Sequence, residues 1–131
     1  MAIFGIGASF DKEDVSQAFI KANIVGVGHG VKYAPELHQF IRTLKVGDVV
    51  YIKSFSPKSR YIFVRGIGVV TDDKEVRNRI VSCGRNVKWV DTQEFRIPKP
   101  VEANNVRNNS LYEEFHPAVQ HSILEKFGKS P

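Results

Sequence analysis

Aromatic and basic side chains alternate along the middle of the chain, a mixture suited to holding bases and phosphates. The set comprises Tyr51, Lys53, Phe55, Lys58, Arg60, Tyr61, Phe63 and Arg65, followed by Arg85, Lys88 and Trp89. Because flat rings stack on bases and cations contact phosphates, the pattern favours nucleic-acid binding. Residues 32–65 hold seven basic and two acidic residues, an excess equal to the formal net charge of +5. A local basic excess of this kind attracts polyanions.

Other chemistries find less support in the spacing of reactive residues. The pieces "GIGASF" and "GVGHG" do not match the glycine spacing of a dinucleotide loop and are typical of bulges and tight bends. The four histidines show no paired metal-ligand spacing, and the lone Cys83 has no nucleophile elbow beside it. Asp48 is interpreted as a cap of the turn that opens a strand. We therefore predict no enzyme: no catalytic residue, no metal and no cofactor.

Hydrophobic periodicity predicts an α+β protein with short elements. Helical spacing follows an N-cap at Asp11, begins again at Pro35 and appears a third time after Pro117. "VGDVVYIKSF" and "RYIFVRGIGVVT" predict a β-hairpin, and "NVKWVD" and "EFRIP" predict two further strands. We interpret residues 1–131 as one domain, a small curved barrel with flanking helices. Its core covers about 3–100, and a C-terminal extension with a short helix covers 101–131.

The compartment follows from what the sequence lacks. No apolar run approaches the roughly 20 residues that cross a bilayer. The first ten residues do not have the basic and apolar regions of a signal peptide. A single cysteine permits no internal disulfide. We expect a cytoplasmic protein that does not bind membranes.

Strand alternation assigns the hairpin residues to two faces. With a period of two, Tyr51 and Lys53 lie on one side of their strand, and Ile52 and Ser54 lie on the other. Part of the aromatic set must therefore belong to a core, and we expect Phe63 there.

The same alternation pairs Trp89 with Val87 and opposes it to Lys88. Core packing is one interpretation of Trp89, because tryptophan usually buries most of its surface. The wall of a binding pocket is the other.

Four segments occur in an order that resembles a known superfamily. They are "IVGVGHG", "LKVGDVVYIKS", "IFVRGIGVV" and "GRNVKWV". Together they resemble the PUA-like superfamily, and within it the EVE-like domains that occur alone or fused to restriction-type nucleases. The resemblance covers roughly residues 3–100. It implies a small β-barrel whose relatives bind nucleic acid and, in the EVE branch, accept a flipped or modified base in an aromatic-lined pocket at the barrel mouth.

The resemblance also implies where a site would lie. The "GVGHG" segment and the "KWV" strand would border the pocket, with His29 where relatives often show a tryptophan. With the hairpin aromatics, the ligand-binding candidates are His29, Tyr51, Ser54, Phe55 and Trp89. The candidates for contacting a nucleic-acid backbone are Lys53, Lys58, Arg60, Arg85 and Lys88.

The predicted function is a non-catalytic module that binds DNA or RNA, including a modified or flipped base. An alternative is a regulator that holds a small nucleotide-like ligand in the same pocket. A third possibility, an RNA-processing hydrolase like some related ASCH-type domains, requires a set of lysine, tyrosine and acid that sequence alone does not assemble. The nuclease-linked relatives suggest a role in bacterial or phage defence.

Overall fold

In the residues that the structure describes, the architecture is a strongly curled mixed sheet with three short helices. It is seen in a computed structural model that describes residues 1–10, 13–28, 35–55, 58–101 and 110–128, with only the backbone of Phe55 and Gly128. The strands are β1 Ile3–Gly7, β2 Ser9–Phe10, β3 Glu13–Asp14, β4 Ile24–Val27, β5 Val49–Phe55, β6 Tyr61–Val70, β7 Cys83–Asp91, β8 Phe95–Pro98 and β9 Leu111–Glu113. The helices are α1 Ser16–Ala22, α2 Pro35–Arg42 and α3 Pro117–Glu125, and a 3₁₀ turn follows at Lys126–Gly128. The predicted α+β class is confirmed.

The sheet follows the order β4-β7-β6-β5-β1-β9, and β8 joins the same sheet through β6. Strands β5 and β6 form the predicted hairpin, whereas β1 pairs with β5 in parallel and with β9 in antiparallel orientation. Strands β2 and β3 form a separate small hairpin. The sheet curls into a half-barrel.

A β-bulge divides β6 into two parts. Ile52 pairs with Gly66, but the next residue, Lys53, pairs with Val64, so Arg65 is the extra residue of the bulge. The part of β6 before the bulge pairs with β8, and the part after it pairs with β7. Because a bulge bends the strand and increases its twist, it turns this end of the sheet and re-aims Arg65.

Both faces of β5 are buried, each in a different core. Val50 and Ile52 belong to a first core with Phe19 of α1. Tyr51, on the opposite face, belongs to a second core with Ile123 of α3. The two cores separate Tyr51 from Val50 and Ile52, as the alternation predicts, but the expected core position of Phe63 is wrong. Its side chain is partly exposed and belongs to neither core, since its neighbours Ile62 and Val64 fill the second one.

A glycine lets two buried tyrosines meet across β1. Gly5 pairs in register with Tyr51 on one side and with Tyr112 on the other. The two tyrosine hydroxyl oxygens lie 2.8 Å apart, and the Tyr51 hydroxyl donates to Glu114 Oε1 at 2.9 Å. Burial, followed by the proximity of Tyr112 and Glu114, raises the pKa of Tyr51 well above its usual value. Tyr51, which the sequence placed among the ligand-binding residues, is fully buried and instead joins this network.

Arg85 connects three segments from inside the protein. Its guanidinium donates to the backbone carbonyls of Arg42 at 2.9 Å, Leu44 at 3.2 Å and Lys74 at 3.3 Å. The side chain is buried, and its charge lies at the C-terminal end of α2, where carbonyls lack helical partners. The phosphate contact predicted for Arg85 is not supported by this position, because its donors already serve the fold.

The helix starts show which local signals the fold uses. Helices α2 and α3 begin at Pro35 and Pro117, as predicted. Helix α1 begins at Ser16, later than predicted, since Glu13 and Asp14 form a strand, and the predicted cap Asp11 lies outside the described residues. None of the described helices is long and apolar enough to cross a membrane.

Asp48 caps the turn that precedes β5, as the sequence predicts. Its Oδ2 accepts from the backbone N–H of Lys45 at 2.8 Å, and its Oδ1 accepts from that of Ala2 at 3.1 Å. Gly47 adopts φ +91° in the same turn, a conformation that favours glycine. The carboxylate thus ties the start of β5 to the start of β1.

Candidate functional site

A cleft of about 340 Å³ opens where β1 and β5 end beside the β2–β3 hairpin. We call it the mouth cleft, and it is lined by Gly7, Ala8, Ser9, Asp14, Ser16, Ile52, Lys53, Ser54 and Arg65. Three hydroxyls, two cationic side chains and one carboxylate therefore face a space whose volume lies within the range of about 300–1,000 Å³ typical of ligand pockets.

An ion pair joins the bulge to the small hairpin across this cleft. Arg65 Nη1 donates to Asp14 Oδ2, and Asp14 Oδ1 accepts from the backbone N–H of Ser16 at 2.8 Å. Burial alone would raise the pKa of Asp14, but the hydrogen bonds from Ser16 and the charge of Arg65 outweigh it and hold the pKa below its usual value. Arg65 Nε is buried without a hydrogen-bond partner in the described part of the chain.

Lys53 is the second cation of the cleft. Its Nζ lies 5.6 Å from the centroid of the Tyr112 ring, and Gly7 leaves room beside it. Burial lowers the pKa of Lys53 to about 8. Because desolvation disfavours the ammonium form, an anion that enters the cleft would stabilise the charge.

A second cavity of about 190 Å³ meets the first around Lys53. The two share Gly7, Ser9 and Lys53, and the second adds Phe10, Gly26, Val27, Gly28 and Ser110. The ring of Phe10 lies against Gly28, where a Cβ atom would come within 2.7 Å of Phe10 Cδ2. The described part of the "GVGHG" segment thus borders a cavity, while His29 lies outside the described residues.

Trp89 lies over the two glycines of the "G-I-G" piece. A Cβ atom at Gly68 would be 3.0 Å from Trp89 Cε3, and one at Gly66 would be 3.3 Å from Cζ3. The indole Nε1 donates to the backbone carbonyl of Phe19 at 3.2 Å. Trp89 is partly buried and packs against the first core, beside Val87, and it lines neither of the two cavities.

Replacing Trp89 with phenylalanine is expected to lower the free energy of unfolding by about 1 kcal/mol, because the hydrogen bond to the Phe19 carbonyl is lost while most of the ring contact remains. Oligonucleotide binding should not change. Urea unfolding and a binding titration of the same preparation measure both quantities. Weaker, base-dependent binding at unchanged stability would instead make Trp89 a pocket wall.

The remaining predicted residues divide into three groups. Ser54 faces the mouth cleft. The side chains of Lys58, Arg60 and Lys88 are exposed, where a polyanion can reach them. The side chain of Phe55 lies outside the described residues.

Sequence reasoning missed Asp14, Ser9 and Ser16 and did not assign Arg65 a role in the site. Asp14 and Arg65 lie 51 positions apart, and no local pattern links them. The glycine after Arg65 was the one available signal, since glycines inside strands often mark bulges.

A lysine, two tyrosines and an acid do come together, the set that a hydrolase would need. Lys53 lies against the ring of Tyr112, which contacts Tyr51, and Tyr51 contacts Glu114. The two tyrosines and Glu114 are almost fully buried, so their polar groups hold the fold together.

The other reactive groups also belong to the interior. The Cys83 thiol is fully buried, and burial raises its pKa. His38, also buried, shares a hydrogen bond of 3.1 Å with Ser82. Within the described ranges, no three His, Cys, Asp or Glu side chains are grouped so that they could hold a metal ion.

The fold therefore defines an α+β half-barrel protein with a polar, cationic cleft at the end of its sheet. No family model matches the chain, and no curated protein matches it either. The curled mixed sheet with short helices is what the structure and the resemblance to PUA-like domains have in common.

Proposed function

We propose that the chain is a non-catalytic binding module for nucleic acid that accepts one nucleotide, including a flipped or modified base, in the mouth cleft. The observation that carries this proposal is that Lys53, Arg65 and three serine residues line one cleft. Cations suit phosphate, and hydroxyls can donate to or accept from a base edge. A base that leaves its stack costs a few kcal/mol, which such contacts can offset.

Two further features support the proposal. Three basic side chains outside the cleft are exposed, namely Lys58, Arg60 and Lys88. The order of the sequence motifs resembles that of PUA-like and EVE-like domains, whose members bind nucleic acid, and membership of that superfamily is part of the proposal. The basic surface would attract the backbone at long range, and the cleft would select the nucleotide.

Salt dependence tests the proposal directly. Labelled single- and double-stranded DNA and RNA of about ten nucleotides should bind with an affinity that falls steeply between about 50 and 200 mM salt. Lys53→Gln and Arg65→Gln should weaken binding and each reduce the salt slope by about 1. Lys74→Gln is the matched control, because this exposed lysine lines neither cavity of the site. Absence of salt-dependent binding to all four nucleic acids would refute the proposal.

The pH dependence of binding provides a second prediction. The pKa of Lys53 is about 8, so its ammonium is charged below that pH and neutral above it. Affinity should therefore fall as the pH rises from well below to well above this pKa. Lys53→Met should bind weakly at both ends and lose the pH dependence, as measured by anisotropy titrations at constant ionic strength. An unchanged pH profile in the variant would show that Lys53 is not part of the binding interface.

A free nucleotide-like molecule is the second candidate ligand. The observation that favours it is the junction of two cavities around Lys53, one of them lined by the ring of Phe10. A phosphate beside the ammonium and a base near the ring would place a whole nucleotide inside. In a thermal-shift panel of nucleosides and nucleotides, a ligand at 100 times its Kd adds about 2.7 kcal/mol of stability. A shift with a mononucleotide, without binding of oligonucleotides, would favour this candidate.

A further inference from the structure

Three strands continue the sheet on the far side of the bulge. There β5, β6 and β8 lie side by side, and Ser54, Phe63 and Arg96 form one row across them, since Ser54 pairs with Phe63 and Phe63 pairs with Arg96. Directly paired residues of antiparallel strands point to the same face. Tyr61, two positions before Phe63, shares that face. We call Ser54, Tyr61, Phe63, Arg65 and Arg96 the aromatic-basic face.

The two rings on this face are not part of either core. Ile62 and Val64 point to the opposite face and are fully buried in the second core, whereas Tyr61 and Phe63 are partly exposed and pack into neither core. Arg96 is exposed, and its guanidinium carbon lies 4.3 Å from the centroid of the Tyr61 ring. Two partly exposed rings therefore lie beside cations on one side of the sheet, and Arg96 lies over the ring of Tyr61.

The aromatic-basic face is continuous with the mouth cleft. Ser54 and Arg65 belong to both. A nucleic-acid strand with one nucleotide in the cleft would therefore reach Phe63 next and then Arg96. The charge of this path is complementary to phosphate, since Arg65 and Arg96 contribute two cations and Lys53 adds a third from the cleft, against one carboxylate in the cleft lining, Asp14, which pairs with Arg65.

The backbone spacing of Tyr61 and Phe63 along β6 favours an unpaired form of the nucleic acid. Residues two apart on a strand are separated by about 6.7 Å, twice the distance of about 3.4 Å between successive bases along one strand of a duplex. Tyr61 and Phe63 can each take one base only if the bases are unstacked from each other. Duplex bases are paired and stacked, and they do not present their faces to side chains.

We propose that the aromatic-basic face binds single-stranded nucleic acid, holding the nucleotides next to the one in the mouth cleft. This inference rests on the proposed function, because the cleft supplies the anchored nucleotide. It adds the substrate class: an unpaired strand that runs from the cleft across Phe63 towards Tyr61 and Arg96.

The test compares Phe63→Leu and Tyr61→Leu with wild type on a single strand of about ten nucleotides. Each variant should bind roughly tenfold more weakly, the size expected from the loss of one stacked base. Phe115→Leu is the matched control, since this phenylalanine is 71% exposed and lies outside the aromatic-basic face. Arg96→Gln should weaken binding in a salt-dependent way, and it also removes the guanidinium that lies over the Tyr61 ring.

An abasic strand of the same length isolates the stacking. It retains the phosphates, so the wild-type protein and the Phe63→Leu variant should bind it equally. If both proteins bound the ordinary strand equally while Lys53→Gln still weakened binding, the proposed role of the aromatic-basic face would be wrong and that of the cleft would stand. If the wild-type protein bound no nucleic acid, the proposed function itself would be refuted. Preference for a duplex, or self-association that Phe63→Leu abolishes, would also overturn the inference.

Discussion

Replacing Gly5 with alanine is expected to lower the free energy of unfolding by about 3 kcal/mol. A Cβ atom at this position would lie 2.4 Å from Cζ and 2.5 Å from Oη of the Tyr112 side chain, a separation that real side chains do not adopt. The ring has little room to move, because its hydroxyl is 2.8 Å from that of Tyr51 inside the second core. The added methyl group therefore overpacks the core and disturbs a buried hydrogen-bond network. Urea unfolding monitored by circular dichroism measures the loss.

Gly7→Ala is the matched control on the same strand. Gly7 lies two residues on, so it shares the face of Gly5, and its nearest neighbours would be 3.8 Å from a new Cβ atom. This variant should unfold with nearly the wild-type free energy. Similar losses in both variants would mean that glycine matters in β1 for its backbone and not for the space over Tyr112.

Replacing Arg85 with methionine is also expected to cost about 3 kcal/mol of stability. Methionine fills a similar space but leaves the carbonyls of Arg42, Leu44 and Lys74 without the donor that now serves them. A buried acceptor that loses its partner costs about 1–3 kcal/mol, and a cation at the end of α2 is lost as well. Denaturant unfolding of the purified variant gives this number.

Two further variants of β7 separate the fold from the interface. Arg85→Lys should be intermediate in stability, because one ammonium does not reproduce the fork of a guanidinium. Lys88→Met, at an exposed position of the same strand, should leave stability unchanged and reduce the salt slope of nucleic-acid binding. If the Arg85→Met protein were as stable as wild type but bound nucleic acid more weakly, Arg85 would contact the nucleic-acid backbone, as the sequence suggested.

The local elements of this fold were predictable because their signals are local. The β5–β6 hairpin, the cap at Asp48 and the helix starts at Pro35 and Pro117 each depend on residues close in sequence. The parallel pairing of β1 with β5 joins Ile3 to Val49, and no periodicity carries that information. The curled sheet was therefore expected, but its strand order was not.

Tyr51 was predicted to bind ligand but is buried, and Phe63 was predicted in the core but is partly exposed, because burial depends on tertiary packing. Alternation correctly separated the two faces of β5, but it does not say which face is buried. Here both faces are buried near Tyr51, because α3 covers the side that α1 and α2 do not. Beyond the bulge at Arg65 the first core ends, and Phe63 is left partly exposed.

The site was only partly visible in the sequence because charge does not reveal burial. Arg85 and Lys53 both belong to the basic set. Arg85 is buried and donates to three backbone carbonyls, whereas Lys53 lines the mouth cleft. The partner of Arg65, Asp14, comes from a hairpin of two-residue strands that has no recognisable pattern. Only the folded chain brings these groups together.

The position of β1 between β5 and β9 has a consequence for biosynthesis. Strand β1 precedes both of its partners in the chain, so it cannot gain its parallel partner until Val49–Phe55 has emerged from the ribosome, and its other edge stays open until Leu111–Glu113 has followed. An apolar strand with open edges is prone to pair with other chains. Nascent chains that stall before β9 should therefore be the species most in need of chaperones, although much of the sheet is already made.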